Sequence, residues 1–271
     1  MSRELNENQI YRYSRNILIP EIGGEGQKKL LDAKVFCVGA GGLGSPAALY
    51  LAAAGVGTIG IADSDNVDIS NLQRQVIHST DDIGRTKTSS AKERLNKLNP
   101  EINIIEHSEL ICEQNIRDII KDYDVVIDGS DNFATRYIVN DGCFFEKKTL
   151  ISGAVLQFEG QVSVFKPHLG GPCYRCLFAE IPPQGVIASC QEAGIIGAVA
   201  GIVGSIQSLE TIKELLNIGQ SLDGRLLVIN TLSMEIDELK IKKLGGCKLC
   251  GSSPSIDKVN GHPQGPCSGN S

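Results

Sequence analysis

The hexapeptide Gly39-Ala40-Gly41-Gly42-Leu43-Gly44 constrains this chain more than any other stretch. It follows a short apolar run, Val35-Phe36-Cys37-Val38, and leads into a segment of helical composition, 45–54, that Gly55 ends. A strand that turns through G-x-G-x-x-G into a helix uses glycine for the sharp turn and for close backbone approach to a phosphate. The helix amino terminus adds a favourable dipole. Gly39, Gly41, Gly42 and Gly44 are therefore candidate nucleotide-binding positions. Nineteen residues beyond Gly44 stands Asp63, at the end of a second predicted strand over 58–62. An acidic residue so placed holds ribose hydroxyls in dinucleotide folds. The loop alone does not separate NAD from ATP or FAD, nor any of them from a glycine turn without ligand.

The spacing of apolar and turn residues predicts one or two short amphipathic helices within 5–18, a helix over 83–98 closed by Pro100 and a strand over 102–105. A helix over 112–120, a strand over 124–127, a helix over 132–146 and a strand over 149–151 follow. This βαβα order implies an α/β fold, a Rossmann-like doubly wound, mainly parallel sheet with helices on both faces. The order breaks after Ser152. A strand over 161–165, a long loop over 167–190, a helix over 193–217 and a hairpin of 225–230 with 234–240 predict an antiparallel carboxy-terminal part. With no internal repeat and no separating linker, 1–271 reads as a single domain. Its nucleotide-binding half covers about 30–152. The crossover loop, antiparallel strands and a metal site cover about 153–251, and a mobile Gly/Ser/Pro-rich tail runs over 252–271.

Composition excludes several classes. Hydrophobic residues make up 41% and charged residues 21%, which is globular rather than disordered. The net charge of −6, with no strongly basic stretch, argues against nucleic acid or an anionic membrane as partner. The most apolar stretch, Ala193 to Ile206, is too short to span a bilayer and is interrupted by Gly194, Gly197, Gly201 and Gly204. The amino terminus is polar and has no secretory h-region. Nine cysteines, an odd number that includes two C-x-x-C pairs, point to a reducing, cytoplasmic setting.

Charged residues cluster after the predicted strands. Arg74 in Asn71-Leu-Gln-Arg-Gln75, and Lys87, suit a triphosphate, which needs more cationic charge than a nicotinamide pyrophosphate. Lys87 taken alone reads rather as a solvated charge at a helix end. Asp128 and Asp131, in Asp128-Gly-Ser-Asp-Asn132, follow a buried strand at its carboxyl end. A carboxylate there holds Mg²⁺ against a phosphate, or Asp131 caps the next helix.

Cys173-Tyr-Arg-Cys176 and Cys247-Lys-Leu-Cys250 stand 71 positions apart. Four thiolates would saturate a tetrahedral Zn²⁺, leaving no open position and a structural role; a disulfide or redox role is the alternative. Cys190, just before a predicted helix, is either a nucleophile with a lowered pKa or a small buried thiol. Cys37, Cys112 and Cys143 read as core. The histidines, His78, His107, His168 and His262, are scattered and suggest neither a triad nor a metal site.

Together, Arg12-Tyr-Ser-Arg15-Asn, the glycine loop, Asp63, Asn71-Leu-Gln-Arg-Gln75, Lys87, Asp128-Gly-Ser-Asp-Asn132 and the two cysteine pairs resemble the MoeB/ThiF/HesA adenylyltransferases, bacterial relatives of the ubiquitin-activating enzymes. The resemblance covers residues 3–251. It implies ATP-dependent adenylation of the Gly-Gly carboxylate of a small ubiquitin-like sulfur carrier, MoaD-like or ThiS-like, for molybdopterin or thiamine-thiazole synthesis. A cysteine desulfurase or rhodanese would supply sulfur. Gly42 and its loop would line the ATP site, and Asp63 would bind ribose. Asn71, Arg74 and Lys87 would contact phosphates, and Asp131 would hold Mg²⁺. Arg15 would enter the partner's site in a homodimer. Cys173, Cys176, Cys247 and Cys250 would bind Zn²⁺, and Cys190 would act after adenylation. An NAD-dependent oxidoreductase with a structural zinc is the second reading, but it leaves Arg74 and Asp131 without a task.

Overall fold

The computed structural model describes residues 4–180 and 193–259. Two short helices, α1 (Glu7–Arg12) and α2 (Ser14–Ile17), precede α3 (Gly23–Asp32). Then come β1 (Lys34–Val38), α4 (Gly44–Ala54), β2 (Thr58–Ala62), α5 (Lys87–Leu98), β3 (Asn103–His107), α6 (Ile116–Ile120), β4 (Val125–Asp128) and α7 (Phe133–Phe145). The second part holds β5 (Thr149–Leu156), β6 (Glu159–Phe165), α8 (Tyr174–Leu177), α9 (Gly197–Leu216), β7 (Arg225–Asn230) and β8 (Glu235–Lys240).

Among the described residues the strands form one sheet in the order β3-β2-β1-β4-β5-β6-β7-β8. Pairing is parallel from β3 to β5 and antiparallel from β5 to β8. The change of sign has a simple cause. β5 and β6 are joined by a tight turn at Gln157, which has φ 53°, and a tight turn can only reverse direction.

Strands buried on both faces lose the apolar–polar alternation, and β1 shows why. Its Val35 and Cys37 enter the core formed with α3, α4, α5 and α9, while Phe36 and Val38 enter the core formed with α6, α7 and α8. Cys37, Cys112 and Cys143 are buried, as the sequence implied.

Several boundaries differ from the sequence reading. The helix of 83–98 begins only at Lys87, because Gly84 has φ 87° and Thr86, in extended conformation, caps the helix on Ser89. Likewise the helix of 112–120 begins at Ile116, since the Cys112 N–H is captured by the Asn115 side chain at 2.9 Å. The strand of 149–151 runs on to Leu156. The helix of 193–217 begins at Gly197, because Ile195 bridges Gln157 in the preceding turn. Helix α3 had no sequence expectation. The loop of 167–190 contains α8, and its residues 181–190 lie outside the described residues. At the start of the tail, Ser255 and Ile256 donate to the Lys248 carbonyl and Val259 joins the core; 260–271 lie outside the described residues. Among the described residues no helix is long and apolar enough to cross a membrane.

Candidate active site

A cleft of about 230 Å³ opens where the strand order reverses, between the carboxyl ends of β1 and β4. Doubly wound sheets bind ligands at that place because the two flanking loops diverge there. The glycine loop forms its floor. Gly39 has φ 93°, and a Cβ on Gly44 would lie 1.8 Å from the Gly39 carbonyl oxygen, so the turn into α4 closes only with glycine. Gly39, Gly41 and Gly42 line the cleft, whereas Gly44 closes the turn behind them.

Asp63, at the end of β2, lines the same cleft. Its carboxylate accepts from Ala40 N–H at 2.9 Å and from Asp65 N–H at 3.0 Å. Burial raises the pKa of this carboxyl, against the opposing pull of Lys87 and the two amides. Lys87 is not a solvated helix-end charge: it is 6% exposed, with its ammonium 2.7 Å from Asp65 and 3.7 Å from Asp63. The N-cap at Thr86 aims the first turn of α5 inward, which carries this lysine to the cleft.

Arg74 reaches the cleft across the glycine loop, its stem against Gly42 and its guanidinium 3.0 Å from the Ser70 carbonyl. Asn71 is not brought in. It sits at the end of a 3₁₀ turn, where its side chain accepts the Asp68 N–H at 3.2 Å in a reciprocal cap.

The two aspartates at the carboxyl end of β4 and just beyond it separate. Asp131 is exposed on the wall of the cleft. Its capping alternative fails, because Asn132 caps α7 by accepting the Thr135 N–H at 2.9 Å. Asp128 points away into the protein: it is 1% exposed and takes Ser130 N–H and O–H at 2.9 and 2.6 Å. Burial raises its pKa, with Arg136 opposing.

Arg15 is exposed on α2, outside the residues lining this cleft. Cys190 lies outside the described residues. Sequence reasoning missed Gln75 and Arg136, which both line the cleft; Gln75 was legible within the quoted motif, Arg136 only as position four of α7.

The two cysteine pairs meet. All four sulfurs of Cys173, Cys176, Cys247 and Cys250 are buried and lie within 4.8 Å of one another. Three of the separations are 4.0, 3.6 and 3.4 Å. A tetrahedron of Zn–S bonds of about 2.3 Å has edges of about 3.8 Å, so the set fits a metal, and none of the four forms a disulfide. The Leu244 N–H points at Cys176 Sγ from 3.5 Å, which favours a thiolate there. Hydrogen bonding led by Cys173 holds the Cys250 thiol below its usual range, while burial lifts that of Cys176.

A mostly parallel sheet with a glycine-loop cleft at its switch point and an antiparallel extension defines a doubly wound α/β protein of the nucleotide-site type. The comparisons with known proteins make this particular. The ThiF family profile matches residues 13–249, and the chain belongs to the ThiF family. It is 45% identical to "Adenylyltransferase and sulfurtransferase MOCS3" of Culex quinquefasciatus, over 96% of this chain and 60% of that protein. It is 44% identical to "Sulfur carrier protein adenylyltransferase" of Thermus thermophilus, over 92% of this chain and 93% of that protein. The chain thus spans about 60% of the length of the MOCS3 relatives. The solved structure of E. coli MccB has the same fold, with a TM-score of 0.79 at 25% identity, covering 95% of this chain and 76% of that one. The nicotinamide-oxidoreductase reading finds no support in these relatives.

Proposed function

We propose that this chain adenylates the carboxy-terminal carboxylate of a small ubiquitin-like sulfur-carrier protein with ATP. The observation that carries the reading is the convergence of Arg74, Lys87 and Asp131 on the cleft floored by the glycine loop. A triphosphate and a carboxylate repel each other, and cationic side chains reduce that repulsion. The carrier carboxylate is already ionised at neutral pH, so no general base is required. One carboxylate oxygen forms a bond to the α-phosphorus, the α–β P–O bond breaks, and pyrophosphate leaves with that electron pair. Arg74 and Lys87 would stabilise the charge on the leaving group, and Asp63 would hold the ribose.

Asp131 is the carboxylate that would hold Mg²⁺, and its exposed position on the cleft wall suits a hydrated cation. Bound there, the ion would supply further neutralisation of phosphate charge. Zn²⁺ in the four-cysteine cluster would be structural, tying α8 to the segment after β8. We further read the working unit as a cytoplasmic homodimer in which Arg15 serves the partner's cleft. Cys190 would act only after adenylation, with a cysteine desulfurase or rhodanese as sulfur source and molybdopterin or thiazole as destination.

Carrier-dependent ATP–pyrophosphate exchange tests the reading. Labelled pyrophosphate should enter ATP only when a small protein ending in Gly-Gly is present. Exchange without any carrier, or none with both MoaD-like and ThiS-like carriers, would overturn it.

A further inference from the structure

Ala40, inside the glycine loop, is gripped from two sides by side chains from outside the loop, the half-buried Asp63 and the buried His78. Its N–H donates to Asp63 at 2.9 Å, and its carbonyl lies 3.0 Å from Nε2 of His78. His78 is 7% exposed, and its Nδ1 lies 2.8 Å from the hydroxyl of Ser90, itself 2% exposed, on α5. The tautomer follows from the partners. A carbonyl only accepts, so Nε2 carries the proton; in a neutral ring Nδ1 then accepts from the Ser90 hydroxyl. Burial lowers the pKa of this histidine, in keeping with a neutral ring.

Helix α5 therefore reaches the loop by two arms. One runs from Lys87 to Asp63 and on to the Ala40 N–H; the other runs from Ser90 through His78 to the Ala40 carbonyl. The second arm sets a direction. In a trans peptide the C=O and the following N–H point oppositely. A carbonyl of Ala40 fastened to His78 turns the N–H of Gly41 away from His78, and Gly41 lines the cleft.

We propose that His78 is a positioning residue for nucleotide binding: its Nε2–H fixes the 40–41 peptide so that the Gly41 N–H is presented to an anionic phosphate. Donors that are already oriented stabilise phosphate charge without reorganisation. The proposal rests on the reading of the cleft as an ATP site. It gives a task to a histidine that the sequence left without one, and it joins the phosphate loop to the helix that carries Lys87.

The test uses the full chain and two substitutions that differ in reach. His78→Gln keeps an amide N–H near the place of Nε2, whereas His78→Asn places its amide near Nδ1, too short for Ala40. ATP affinity by calorimetry, KM for ATP and for the carrier, and the melting transition are measured for both. His78→Asn should weaken ATP binding and raise its KM about ten-fold, the scale of one buried hydrogen bond lost. KM for the carrier should not change, and His78→Gln should restore most of the loss. A purely structural histidine would lower the melting temperature without this selectivity for ATP.

Unchanged ATP affinity in a folded His78→Asn variant overturns the proposal, as does an equal loss in both variants. Should His78→Asn fail to fold, Ser90→Ala, which removes only the hydroxyl steering the ring, must weaken ATP binding; no change there is equally fatal. A wild-type chain that binds no ATP removes the nucleotide reading itself, an outcome distinct from failure of the clamp.

Discussion

Arg175 closes a two-pronged ion pair on Asp141, with Nε and Nη2 at 2.8 and 2.7 Å from its two carboxylate oxygens. The Asp141 side chain is fully buried and that of Arg175 is 14% exposed. The arginine lies between the cysteines of the first pair, and its guanidinium sits 4.5 Å over the Tyr137 ring. Asp141 belongs to α7, whose amino-terminal cap, Asn132, adjoins Asp131 on the cleft. One helix thus connects the cysteine cluster to the candidate nucleotide site. Burial raises the carboxyl pKa of Asp141 and Arg175 opposes it, so removing the cation leaves a buried acid without its counter-ion.

Breaking this pair from either side should therefore be expensive. Arg175→Ala or Asp141→Ala should lower stability by about 3–5 kcal/mol, the usual penalty for stranding one partner of a buried ion pair. Urea unfolding of each variant at neutral pH measures it. A loss below about 1 kcal/mol, the range of exposed pairs, would show that the pair is not desolvated in solution.

Asp131 is exposed and is not the cap of α7, so the fold does not need it. Asp131→Ala should abolish carrier-dependent ATP–pyrophosphate exchange while leaving the melting temperature within a degree or so, the scale of a surface change away from any structural feature. Near-normal exchange in that variant would remove Asp131 from the mechanism.

The four-cysteine cluster should hold one zinc per chain. Cys176→Ser or Cys250→Ser should lower metal content and thermal stability together, because metal-binding energy is also folding energy. The loss should reach several kcal/mol. Metal analysis alongside unfolding checks it, and a metal-free variant as stable as the parent would exclude a structural zinc.

Arg15 stands outside the cleft of its own chain. If it serves the partner's cleft, Arg15→Ala and Arg74→Ala chains should each be inactive alone, and their mixture should regain activity. The hybrid dimer holds one cleft with its own Arg74 and the partner's intact Arg15. No recovery after verified subunit exchange would refute the trans role.

Much of the fold could be read directly because it follows from neighbours in the chain. Gly39 and Gly44 identify the turn, and Gly55, with φ 84°, ends α4 where it was expected to. The strand starting at Lys34 and the one at Thr58 carry the β-branched and apolar runs of buried parallel strands. Boundaries slipped where one side chain or one turn overrode composition, as Asn115 did at α6 and Thr86 at α5. Lys87 was misjudged alone because a lysine's burial depends on an acid brought to it from elsewhere, here Asp63 and Asp65. Asn71 stands outside the cleft lining for the converse reason: a local cap on Asp68 takes its side chain.

The sequence by itself determined the local elements, the glycine turn and the chemical kinds of residue available. Hydrophobic period, glycine and caps act over a few bonds, within reach of a reading along the chain. Only the tertiary structure decided which of those residues meet. The reversal of strand order between the neighbouring parallel strands β1 and β4 makes the cleft, and packing of α8 against the segment after β8 gathers sulfurs 71 positions apart. The docking of α5 carries Ser90 to His78 and His78 to Ala40. Such contacts are fixed by the close packing of elements around a common sheet, which no spacing along one strand of text encodes.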